Sequence, residues 1–144
     1  MCAINIWAVN AAALTPRFEA FTERSLGVAP QPSTARIVSD LVRPSAAVFT
    51  LERRMCDCYS LLGRGSAAEH EGEVSAEQWL SWIRGMPAQV PHLGALAVLR
   101  AWAPQSDRAR PSTERCVSSG EVDEALLRGV EIGALLVIEL AASS

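Results

Sequence analysis

Two cysteines stand one residue apart in the stretch RRMCDCYSLLGRG, as Cys56 and Cys58 with Asp57 between them. Thiolates are soft ligands, and a zinc ion takes about four of them or their equivalents in a tetrahedron. Cys2 near the start and Cys116 late in the chain complete a candidate set of four: Cys56, Cys58, Cys2 and Cys116. The spacing differs from the knuckles of zinc fingers and ribbons, where two to four residues separate the paired cysteines. It also differs from the Cys-x-x-Cys at a helix start that lowers a thiol pKa for redox work. A third reading needs no chemistry, because cysteine packs well as a small, commonly buried hydrophobe. On an alternating strand Cys56 and Cys58 would share one face with Ser60 and Leu62, leaving Asp57, Tyr59 and Leu61 on the other. With so unspecific a spacing, packing is the expectation, zinc binding is the alternative, and no resident cofactor is expected.

Other groups of reactive residues are weaker still. AEHEGE, residues 68 to 73, sets His70 among Glu69, Glu71 and Glu73. Neighbours on a loop rarely converge on one ion, so a solvated acidic loop is expected. His92 follows Pro91 and should open a strand as a structural residue. LLGRGSA, 61 to 67, has the glycines of a phosphate-cradling turn but neither the P-loop nor the dinucleotide spacing. The chain's first four residues, MCAI, resemble the start of class II glutamine amidotransferases, with Ala3 where that family has glycine. That resemblance implies a nucleophilic Cys2 after loss of Met1, with the free α-amine as base, although 144 residues look short for that fold's paired sheets.

Partner surfaces are suggested by two residue types. Tryptophan is plentiful, at Trp7, Trp79, Trp82 and Trp102, and exposed tryptophans anchor binding surfaces. Trp7 and Trp82 are the interaction candidates, together with Arg108 and Arg110 in the polar stretch PQSDRARPSTER. All 13 basic residues are arginine. The net charge of −3 argues against a general nucleic-acid binder, which would carry a basic face.

These residues must be positioned by a globular fold. Apolar residues make up 49% of the chain and charged residues 20%, a composition that excludes intrinsic disorder. Apolar runs such as ALLVIEL fall well short of the roughly 20 residues of a membrane span. With no signal-like start, the expectation is a soluble, cytoplasmic, bacterial-type protein with reduced thiols.

AINIWAV, 3 to 9, alternates as a strand, with Ile4, Ile6 and Ala8 opposite Asn5, Trp7 and Val9. LTPRFEAFTERSLG follows as a helix capped by Thr15, with Pro16 in its first turn and Gly27 closing it. Residues 28 to 45 read as loop, with room for a short strand at 36 to 38. AAVFTLE, 46 to 52, and CDCYSLLG are expected as antiparallel strands turned by ERR. Ser75 and Gln78 form a capping box for a second helix, stapled by Val74 and Trp79 and stopped by Gly85 and Pro87. GALAVLRAW, 94 to 102, is apolar enough for a central strand. Residues 103 to 114 form a flexible loop, followed by a short strand at Cys116, a short helix near VDEALLR and a last strand, ALLVIEL.

The expected fold is therefore α+β: a single-domain sandwich over 1 to 144, with a split βαβ (ferredoxin-like) sheet, helices on one face and an added C-terminal helix and strand. The leading functional expectation is a non-enzymatic protein-binding domain of the immunity or antitoxin kind, with a protein partner and self-association open. The alternative is a small thiol-dependent enzyme or metal protein using Cys56 and Cys58 in a cleft beside His70.

Overall fold

A computed structural model describes residues 2–51, 56–90, 92–103 and 108–140. The elements run β1 (Cys2–Val9), α1 (Pro16–Leu26), β2 (Gln31–Pro32), β3 (Arg36–Ile37), β4 (Ala47–Thr50), α2 (Ala76–Gln89), β5 (Ala95–Ala103), β6 (Arg108–Ala109), β7 (Thr113–Ser118), α3 (Glu124–Arg128) and β8 (Ala134–Glu139). The architecture is mixed α+β. Six strands form one sheet in the order β2-β4-β1-β5-β8-β7, and β3 pairs with β6 in a separate parallel ribbon. Every neighbour pair in the large sheet is antiparallel except β7 with β8. No helix among the described residues is long and apolar enough to cross a membrane.

Local chemistry accounts for the helices. Thr15 accepts from the amide of Phe18 at the start of α1, Pro16 occupies the first turn, and Gly27 closes it with φ 74°. At α2 both capping-box bonds form: Ser75 Oγ accepts from the Gln78 amide at 3.2 Å, and Gln78 Oε1 from the Ser75 amide at 2.9 Å. The expected stop at Gly85 and Pro87 is corrected, since α2 continues through both to Gln89. Gly85 serves packing instead: a Cβ there would lie 3.0 Å from Phe21 Cζ, so glycine lets the α1 ring settle on α2.

The two sheet faces bury different material. Against α1 and α2 lie Trp7, Val9, Phe49, Leu96 and Val98. Trp7 stacks on Trp79 with centroids 5.4 Å apart and meets Trp82 edge-on at 5.2 Å. Trp82 donates its indole N–H to Thr22 Oγ1 at 3.0 Å. The opposite face carries Ile6, Ala8, Ala97, Leu99 and Val137 beneath Ile37, Val42 and Ala109.

The largest departure from expectation is at CDCYSLLG, which is not a strand. Ser60 N–H donates to Asp57 O and Arg64 N–H to Leu61 O, so the backbone closes turns instead of joining a ladder. Leu61 and Leu62 are both buried although consecutive, which a half-covered strand does not allow. The strands expected for the split βαβ sheet therefore differ from those formed, because β2 rather than 56 to 62 pairs with β4. The expected ERR turn, and residues 104–107 of the expected 103–114 loop, lie outside the described residues. Within that loop Arg108–Ala109 is strand β6, and Thr113 opens β7.

Candidate functional site

The site begins with an incomplete edge of β1. Strand β4 is four residues long and pairs with Trp7, Ala8 and Val9 only, which leaves the backbone of Ala3 and Asn5 on that side without a ladder partner from β4. Residues 56–58 take its place. Asp57 N–H donates to Ala3 O at 2.7 Å, and Asn5 N–H donates to Asp57 Oδ2 at 2.7 Å. Ala3 N–H points at Cys58 Sγ, 3.3 Å away. Asp57 thus holds the segment by backbone and side chain together, and the cysteines on either side are delivered to the start of β1.

The consequence is a three-thiol cluster. The Sγ atoms of Cys2, Cys56 and Cys58 all lie within 4.8 Å of one another, and Cys56 Sγ is 3.2 Å from Cys58 Sγ. Zinc–sulfur bonds of about 2.3 Å at tetrahedral angles require sulfurs about 3.8 Å apart, a value inside this range. Cys2 is exposed and Cys56 and Cys58 are half-buried, so the cluster opens to solvent on the Cys2 side.

Beneath it lies a buried polar network. Arg100 is 6% exposed and donates through Nη1 to Asn5 Oδ1 at 3.0 Å and to Asp57 O at 3.4 Å. Asn5 Nδ2 reaches Ser60 Oγ at 3.4 Å, and Ser60 Oγ also accepts from the Leu62 amide. Burial lowers the Arg100 pKa from the ordinary arginine value, while Asp57, Cys58 and Cys56 act in the opposite direction. Gly63 completes the nest. A Cβ at this residue would stand 2.3 Å from Arg100 Nε and 2.6 Å from Val130 O, and φ is 77°. Glycine is the residue that lets the loop close over the guanidinium.

Three of the four expected metal ligands are thus brought together. Cys116 is not among them: it sits on β7, three strand spacings from β1, or about 14 Å across the sheet. Its thiol lies 3.4 Å from Glu139 Oε1, and desolvation followed by that carboxylate raises its pKa. His70 packs against Tyr59 with ring centroids 4.3 Å apart and planes tilted by 33°, and it is not part of the thiol group. Glu69, from the same acidic loop, accepts from the Ala76 amide at the start of α2. His92 precedes β5 with φ 65°. Gly63 and Gly65 direct the 61–67 turn onto the end of α3, through Gly63 N–H to Leu127 O and Gly65 N–H to Arg128 O.

The interaction candidates divide. Trp7 and Trp82 have no exposed surface, so in this fold they form the core and are not available as surface anchors. Arg108 and Arg110 are exposed beside β3, with Arg108 in register with Arg36. Among the described residues the large exposed hydrophobics are Leu41, Tyr59 and Trp102. Two of these adjoin the thiols: Tyr59 follows Cys58, and Trp102 is the cross-strand partner of Ala3.

Sequence reasoning missed Asn5, Arg100 and Gly63. Arg100 did leave a signal, as the single charge inside the apolar run GALAVLRAW. A central strand tolerates such a charge only where partners await it. In comparisons with known proteins no family model matched the chain, and no curated protein or solved structure matched it either, so the likeness of MCAI to the amidotransferases stays confined to those four residues.

Proposed function

We propose that the protein binds a soft metal ion, zinc being the reference case, through the thiolates of Cys2, Cys56 and Cys58. The observation that carries this reading is the convergence of three sulfurs within 4.8 Å from segments more than 50 residues apart in sequence. Three thiolates and a divalent cation carry a net charge of −1, and the buried Arg100 guanidinium beneath them offsets it. The Ala3 N–H directed at Cys58 Sγ orients that sulfur from outside the coordination sphere. Three protein ligands leave a fourth position for water or an exogenous donor. Free thiols at the surface call for a reducing compartment, which supports a cytoplasmic setting.

Protein recognition is a second reading, favoured by the two exposed aromatics, Tyr59 and Trp102, that flank the thiols. On this reading a partner contacts that rim, and the domain is a binding module of the immunity or antitoxin kind. For the architecture, the order β2-β4-β1-β5 supports a split βαβ, ferredoxin-like core: α1 links β1 to β2 across β4, and α2 links β4 to β5 across β1.

Native mass spectrometry of the reduced protein after zinc addition and desalting tests the metal reading. One retained zinc per chain is expected for the wild type and for Cys116→Ser. Much weaker retention is expected for Cys2→Ser, Cys56→Ser and Cys58→Ser. A wild type that retains no metal, or three variants that retain it as the wild type does, would overturn the assignment.

A further inference from the structure

The sheet face away from the helices carries a second site, unrelated to the thiols. Across it, side chains stand in register rows. Ile6, Leu99 and Leu135 form one row of bulky residues. The next row on the same face is Ala8, Ala97 and Val137. Two alanines side by side on central strands leave the sheet surface low, because an alanine fills far less of the space that leucine or isoleucine fills in the row before. The covering segment that ends at Ala46 does not fill the hollow, and a cavity of about 330 Å³ remains between them. That volume lies at the small end of the range for ligand sites.

The lining of this cavity includes one guanidinium and one imidazole, both on exposed residues. Arg43 and His92 line it, and Arg43 forms no ion pair among the described residues. His92 is the one described non-glycine residue with positive φ, at 65°. Asn10 Nδ2 donates to the His92 carbonyl at 3.4 Å. A side-chain-bearing residue in the left-handed region is strained, and such residues cluster at ligand clamps. An apolar floor with a guanidinium and an imidazole at its rim matches one chemical class of ligand: an organic anion with an apolar body, whose carboxylate meets the guanidinium and accepts from the imidazole N–H while its chain lies on the alanines.

We infer that the cavity over Ala8 and Ala97 binds a small carboxylate with an apolar body, held at its mouth by Arg43 and His92. The test titrates sodium hexanoate, and 1-hexanol as its neutral counterpart, into the isotopically labelled full chain and follows backbone amide shifts. Saturable shifts at Ala8, Ala46, Ala97 and His92 are expected with hexanoate. Arg43→Gln should weaken hexanoate roughly tenfold or more while leaving hexanol unchanged. Ala97→Leu should abolish both responses by filling the floor. Should Ala97→Leu fail to fold, Ala46→Leu on the half-buried covering segment fills the same space from the other side. Shifts that never saturate, or that survive the filling variant, would overturn the site. Equal binding of hexanol and hexanoate would overturn its preference for anions.

Discussion

Arg100 links the site to the stability of the chain. Its guanidinium is buried and donates through Nη1 to Asn5 Oδ1 and to the Asp57 carbonyl. Replacing it with Met removes the donor from buried Asn5 Oδ1 and leaves Asp57 O with the Ser60 amide, at a cost of about 2 kcal/mol. Urea unfolding of Arg100→Met should show this loss, and a midpoint equal to wild type would contradict the network. Gly63→Ala should cost about 2 kcal/mol or more, since it adds a Cβ where Arg100 and Val130 already stand and places it on a backbone with φ 77°. Thermal unfolding checks it, and an unchanged Tm would mean that the loop does not close on the guanidinium. The same residue scale decides pH dependence. Each thiol must lose its proton to bind, so metal affinity should fall as pH falls, with up to three protons released per ion. Zinc affinity that is flat between weakly alkaline and acidic pH would exclude thiolate ligands.

Among the elements, what was legible in the sequence was local, and what was not depended on distant partners. Thr15, Pro16 and Gly27 mark α1, and Ser75 with Gln78 marks α2, because each signal is complete within one turn of chain. Ser75→Ala should therefore cost about 1 kcal/mol in urea unfolding, and coincident midpoints would show that the cap does not contribute. Helix α2 runs past Gly85 because the reason for that glycine is Phe21, on another helix. CDCYSLLG alternates well enough to pass for a strand, yet a short apolar run takes its conformation from whatever edge is free. Here the free edge lies in the five residues of β1 beyond the reach of β4, Cys2 to Ile6, and Asp57 fills it at Ala3 and Asn5 with backbone and side chain together. Cys2, Cys56 and Cys58 could be named as ligands from their type. Cys116 could be excluded only once the sheet order placed β7 at the far edge.

Taken as a whole, the molecule is a six-stranded sheet whose two faces do different work. One face builds the tryptophan-rich core under α1 and α2, with the thiol segment extending that layer at the start of β1. The other face holds the alanine hollow. Because the proposed ligands come from the first strand and from a loop more than 50 residues later, a bound ion cross-links them and stabilises the native state. Zinc at about a hundredfold excess over its dissociation constant should add about 2.7 kcal/mol, a rise in Tm that a chelator reverses. The most direct measurement is cobalt(II) substitution of the reduced protein, followed by absorption spectroscopy. Three converging thiolates predict intense sulfur-to-cobalt charge-transfer absorption with the visible bands of a tetrahedral ion, saturating at one equivalent. Those features should persist in Cys116→Ser and be lost or reduced in Cys58→Ser. Weak octahedral bands without charge transfer, or a spectrum indifferent to Cys58, would contradict the three-thiolate centre.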